Sequence, residues 1–214
     1  MHSNIRIPVL VAVTLLAVAQ FPAFAQSQTL KGGVIRYDAN SKTNGVTGIG
    51  IPGGADFVVG DATTLLLTYE YEIKPNVGIE LVLGVPPKIK AKADASVAFL
   101  GEVLSARNVA SALLVNYHFG QKGDALRPYI GLGINYTKFT NVSSPYGWDV
   151  KLRDSVGLVG QVGVDYALAP SWGLFASVAR VDVKSKLVAT GAVVLQSTID
   201  FRPMTYAAGA YYRF

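Results

Sequence analysis

The last eleven residues alternate strictly. Met204, Tyr206, Ala208, Ala210, Tyr212 and Phe214 fall on one parity, and Thr205, Ala207, Gly209, Tyr211 and Arg213 on the other. Successive side chains of a strand point to opposite faces, so this stretch is a strand with one greasy face. It runs to a terminal aromatic. Such an ending predicts a transmembrane β-barrel whose last strand closes the cylinder, with lipid as the solvent for the apolar face.

The rest of the sequence carries the same signal in a weaker form. Half of the residues are hydrophobic, yet beyond the first 25 no apolar run approaches the ~20 residues of a spanning helix. The apolar residues are therefore interleaved with others, among them many of the 22 glycines. Residues 1–25 are expected to be a cleaved signal peptide. Arg6 supplies a positive start, Ile7 to Ala19 a short apolar run, Pro22 a break, and Ala23-Phe24-Ala25 a small-x-small cleavage site. Residues 26–214 would then form one barrel domain. The net charge of +5 drops to +4 without Arg6, and its basic residues form no cluster interleaved with aromatics, which argues against nucleic acid as a partner. Attraction to anionic lipopolysaccharide is the simpler reading of the excess. The absence of cysteine removes thiol nucleophiles and thiolate metal sites.

Eight strands are predicted: 28–38, 61–71, 77–85, 109–119, 128–139, 153–168, 172–184 and 204–214. Gaps after the first, third, fifth and seventh are long; the others are short turns such as Lys74-Pro75-Asn76. Long outer loops and short periplasmic turns produce this parity in an even-stranded antiparallel barrel. The 88–107 stretch fits either a short helix or an extended flap. Tyr69, Tyr71, Tyr117, Phe119, Tyr129, Tyr166, Trp172, Tyr212 and Phe214 cluster near the short-turn ends, as an interfacial girdle would. A soluble β-sandwich or lipocalin-like barrel would pack large residues inward. Here the polar minority, Glu70, Glu80, Asn116, Gln161 and Asp165, shares its face with glycines, which suits a narrow lumen.

The inward face divides by height. Near the periplasmic rim it carries Glu70, Glu80, Asn116, His118, Asp165 and Arg213, with Arg36 placed higher up. Charges in so tight a space must pair, which predicts a polar plug. Above it come Leu66, Val82, Leu114, Val159, Phe175 and Val181. These apolar lumen residues fit either a hydrophobic ligand channel or ordinary filling of a small barrel. His118 stands without a serine or metal-ligand partner set, so a structural hydrogen bond is expected of it and no catalytic or metal site is predicted. The Gly48-to-Gly53 match to a dinucleotide-binding fingerprint lacks a βαβ unit and is accidental.

Several strings together resemble the outer membrane protein W family: Val77-Gly78-Ile79-Glu80-Leu81, Tyr117-His118-Phe119-Gly120, Arg127-Pro128-Tyr129-Ile130-Gly131-Leu132-Gly133-Ile134-Asn135-Tyr136, Asp154-Ser155-Val156-Gly157 and Gln161-Val162-Gly163-Val164-Asp165-Tyr166. The Tyr212-Arg213-Phe214 ending fits as well. The resemblance implies an eight-stranded barrel of the bacterial outer membrane; for want of a catalytic set neither enzymatic activity nor a cofactor is expected. It also implies passive uptake of small hydrophobic solutes, as in the related alkane-uptake proteins, with lateral exit into the bilayer. Tyr212 and Phe214 would belong to the signal read by the barrel-assembly machinery. The second expectation, from another class, is a non-transporting envelope barrel that acts through its loops in adhesion or as a phage or bacteriocin receptor.

Overall fold

The computed structural model describes residues 27–39, 41–43, 45, 52–190 and 194–214. The leader at 1–25 and most of the Gly48-to-Gly53 string lie outside the described residues. Fourteen strands follow one another: β1 (Gln28–Asp38), β2 (Ser41–Thr43), β3 (Ala55–Val59), β4 (Ala62–Lys74), β5 (Val77–Gly84), β6 (Lys88–Ala95), β7 (Glu102–His118), β8 (Leu126–Ser143), β9 (Asp149–Leu152), β10 (Ser155–Ala167), β11 (Trp172–Val181), β12 (Val183–Thr190), β13 (Val194–Phe201) and β14 (Met204–Arg213).

Eight of them close a barrel. Each neighbour pair is antiparallel, in the order β1-β4-β5-β7-β8-β10-β11-β14, and β14 returns to β1. Closure leaves no sheet edge for the hydrocarbon to face. The strands β1, β11 and β14 have 11, 10 and 10 residues, the length that a tilted strand needs to cross ~30 Å of hydrocarbon. At the closing seam Gly33 stands opposite Gly209. A Cβ on either would meet the backbone of the other strand at about 2 Å, so the two glycines let the first and last strands meet.

Period two separates the faces cleanly. Leu65, Leu67, Leu81, Leu83, Val115, Ile130, Leu132, Ile134, Leu158 and Leu174 project outward into lipid. Tyr69, Tyr117, Phe119, Tyr166, Trp172, Tyr212 and Phe214 ring the short-turn end on that outer face. Tyr117 with Phe119, and Tyr212 with Phe214, meet edge to face at 5.1 and 4.9 Å. Tyr129 departs from the girdle expectation. Its odd parity on β8 turns it inward, where it is buried. Pro75 and Asn76 make the tight turn between β4 and β5, with Asn76 at φ 69°, a conformation that asparagine tolerates well.

The outer connections are more ordered than loops. β6 supplies a strand where the sequence left helix and flap open, and a single 3-10 turn at Ala98–Leu100 follows it. β7 begins at Glu102, seven residues before the expected start, because its upper part pairs with β6. β3 joins β6, and β2, β13, β12 and β9 form a separate four-stranded sheet. Phe57, Val59, Ala91, Leu104 and Ala189 are buried among these elements, with Trp148, Val150 and Leu152 packed against them. The outer end is thus a small folded cap with its own apolar core.

Candidate functional site

The lumen contains two levels, and the lower one is charged. Lys31, fully buried on β1, places its Nζ 3.1 Å from Asp165 Oδ1 on β10 and 3.6 Å from Glu70 Oε2 on β4. The same ammonium lies 4.4 Å from the centroid of the Tyr129 ring, a cation–π contact. His118 Nε2 is 2.6 Å from Glu70 Oε1, and its Nδ1 is 3.9 Å from Asp165 Oδ2. One step higher, Asn116 Nδ2 and Gln161 Nε2 both donate to Glu80 Oε2, at 2.8 and 2.6 Å. Gln161 Nε2 also reaches Asn116 Oδ1 at 2.8 Å. The five elements β1, β4, β5, β7 and β10 therefore meet side chain to side chain across the axis, and β8 adds the Tyr129 ring.

Glycines make this convergence possible. A Cβ at Gly78 would meet the Glu70 carboxylate at 2.2 Å; at Gly131, Asn116 Oδ1 at 2.2 Å; at Gly163, the Tyr129 ring at 2.4 Å. These three glycines seat plug side chains. Buried charge at this density is stable only when paired and hydrogen-bonded, and the network supplies both for its carboxylates, while His118 Nδ1 and Arg127 Nε are buried without a hydrogen-bond partner. Below it, Glu72 Oε2 binds Lys122 at 2.6 Å and also accepts from Ser27 Oγ, while Glu72 Oε1 faces Arg127 at 3.7 Å.

The apolar level lies above. Leu66, Val82, Leu114, Val159, Phe175 and Val181 all line one cavity of about 70 Å³, together with Ile35, Tyr37, Ala179 and Ala207. Thr68, Glu80, Tyr129 and Gln161 also line it, and the last three belong to the plug below. By the same measure the space among Ser27, Thr29, Glu70, Glu72, His118, Arg127, Asp165 and Arg213 is about 10 Å³, room for roughly one water. The chamber therefore has a closed floor.

The chamber lining reaches the barrel wall between β5 and β7. The β5–β7 ladder ends at Leu83↔Ser111, and the β6–β7 ladder starts only at Lys88↔Arg107. Between them Pro86 and Pro87 have no N–H to give, and Val85 N turns away to Leu65 O at 3.0 Å. Asn108 N to Pro87 O, at 3.1 Å, is the backbone bond that spans the gap among the described residues. Leu83, Gly84, Ala110 and Ser111, the residues bounding this gap from below, are part of the chamber lining.

All six apolar lumen residues named from the sequence share the chamber, and the named plug residues sit at and below its floor. Arg36 does not. It lies on the outer face, 59 % exposed, and pairs with Asp61 at 2.8 Å. At the rim a charged side chain finds water and a partner outside more cheaply than in the lumen. Arg213 points inward, but its Nη1 donates to the Lys122 carbonyl at 3.5 Å and its guanidinium lies 5.4 Å from the Tyr211 ring. The cation that neutralises Asp165 and Glu70 is Lys31, a residue outside the plug expected from the sequence. Continuing the parity of Ile35 down through Gly33 leads to it.

Comparison with known proteins agrees with this architecture. The OmpW family model matches residues 26–214. Outer membrane protein W of Escherichia coli (strain K12) is 29% identical over 218 residues, covering 99% of each chain. Outer membrane protein AlkL of Ectopseudomonas oleovorans is 28% identical over 161 residues, 75% of this chain and 70% of that protein. The crystal structure of OprG from Pseudomonas aeruginosa superposes with a TM-score of 0.82 at 27% identity, covering 89% of this chain and 96% of that one. With its closed eight-stranded barrel, lipid-facing apolar belt and aromatic girdle, the chain belongs to the OmpW family of bacterial outer-membrane proteins.

Proposed function

We propose that this barrel is a passive channel for small hydrophobic molecules. The observation that carries the reading is the contrast between the two levels of the lumen, an apolar chamber above a closed polar floor. Water-soluble solutes gain nothing from such a chamber, and the floor gives them no way through. An apolar solute gains roughly 25 cal/mol for each Å² of its surface removed from water. Its exit is lateral, and the interruption of the wall between Leu83 and Lys88 supports that route. Glu70, Glu80, Asn116, His118, Asp165 and Arg213 act as the plug. Leu66, Val82, Leu114, Val159, Phe175 and Val181 act as the path.

The protein works without catalysis or cofactor, by partition alone. Its leader is removed after Ala25, lipopolysaccharide surrounds its outer half, and Phe214 presents the terminal strand to the assembly machinery. The kinship with the protein AlkL supports the solute class. A strain lacking the gene tests the reading. Restoring it should speed uptake of an apolar solute such as octane several-fold and leave a hydrophilic solute of equal size unaffected. Equal octane uptake in both strains contradicts it.

A further inference from the structure

The outward face of three adjoining elements changes character at one height. On the β5–β6 segment the lipid-facing series Leu81, Leu83, Val85 gives way to Lys88, Lys90 and Lys92, all exposed. On β7 the change is from Val109 to Arg107, and on β8 from Tyr136 to Lys138. The ladders bring these residues together: Lys88 pairs in register with Arg107, and Val109 with Lys138. Neighbouring strands are about 4.8 Å apart, so the cations form one patch immediately above the apolar belt.

Little neutralises this patch. Glu102 bonds Lys90 at 2.7 Å. Its carboxyl is held below its ordinary range by that hydrogen bond and, further off, by the charges of Lys90, Lys88 and Lys92. Among the described residues Lys88, Lys92, Arg107 and Lys138 have no carboxylate at ion-pair distance. The far wall of the barrel is different. There Arg36 is paired with Asp61 at 2.8 Å. The five basic side chains adjoin one another across β6, β7 and β8 just above the apolar belt.

We propose that Lys88, Lys92, Arg107 and Lys138, with Lys90 beside them, form a lateral site for the phosphorylated headgroup of an outer-leaflet glycolipid, the lipid A part of lipopolysaccharide. Its acyl chains lie along Leu83, Val85, Val109 and Tyr136 while its phosphates meet the cations. Continuity of the apolar belt with the basic patch selects a lipid over a free anion. Leu83 also borders the chamber, but none of the five cations lines it, so the headgroup part of the site stands apart from the solute path.

The test titrates the detergent-solubilised barrel with bisphosphorylated lipid A. The Lys88→Gln/Lys92→Gln/Lys138→Gln variant is expected to bind at least about tenfold more weakly, since each surface cation near an anionic headgroup contributes measurably. The Arg36→Gln variant should bind like the parent. Heat-dependent gel mobility confirms that every variant is folded. Undiminished binding by the triple variant overturns the proposal. So does equal binding of dephosphorylated lipid A, or displacement by inorganic phosphate at equal concentration.

Discussion

Lys31 and Asp165 join opposite walls of the barrel. They lie 134 residues apart in sequence and three strands apart around the ring, and Nζ meets Oδ1 at 3.1 Å across the lumen. Glu70 is the second partner, at 3.6 Å. Removing the cation leaves carboxylates buried beside one another, and breaking such a pair costs about 3–5 kcal/mol. Lys31→Met should therefore lower unfolding stability by that amount in urea titrations of the vesicle-inserted barrel. Asp165→Asn should cost less, because Glu70 continues to neutralise Lys31. Equal stability of Lys31→Met and the parent would show that the plug does not depend on this pair.

Two glycines of β10 make a controlled comparison. Gly163 faces inward directly opposite Tyr129, and a Cβ there would meet its ring at 2.4 Å. Gly160 is on the other face, with nothing within 4 Å. Gly163→Ala should destabilise by about 1–3 kcal/mol through overpacking. Gly160→Ala should be neutral or slightly stabilising, since alanine loses less backbone freedom on folding. Urea midpoints measured side by side decide, and equal shifts would remove the seating role given to Gly163.

Filling the chamber should slow transport without harming the barrel. Ala179 lines the cavity next to Val181 and faces inward. Ala179→Phe adds a ring to a space of about 70 Å³. Uptake of octane should fall several-fold while heat-dependent gel mobility stays that of the folded parent. Parent-like uptake by this folded variant would place the path elsewhere.

Loosening the floor should admit ions. Glu80 is held by Asn116 and Gln161. Replacing Asn116 and Gln161 together by alanine removes both donors and much of the volume above Glu70. Planar-bilayer recordings should then show ion conductance well above that of the parent barrel. Unaltered conductance would mean that the barrier to ions lies in some other layer.

The barrel was legible because period-two alternation survives along every membrane strand, and lipid on one side enforces it. The parity that makes Tyr212 and Phe214 outward also makes Tyr211 inward, with no exception along β14. The six chamber residues followed from the same rule. Arg36 follows its parity outward, because at the rim charge is tolerated on either face and polarity alone does not assign a side. Tyr129 was grouped with the girdle by its height alone, although its parity turns it inward onto Gly163. Lys31 remained hidden for a different reason. Its carboxylate partners come from β4 and β10, and local pattern says nothing about which strands face each other across a closed ring. The outer cap was harder still, because Ala91, Ala106 and Ala189 bury faces that carry little hydrophobic contrast.

The proposed lateral route takes an apolar solute out of the chamber through the wall between β5 and β7. A staple across that seam tests it most directly, with cysteines replacing Gly84 and Ala110 in a chain that has none of its own. With the disulfide closed, octane uptake should drop to the level of cells lacking the barrel, and a reductant should restore it. Uptake that continues at the parent rate with the staple closed would contradict a lateral exit at this seam.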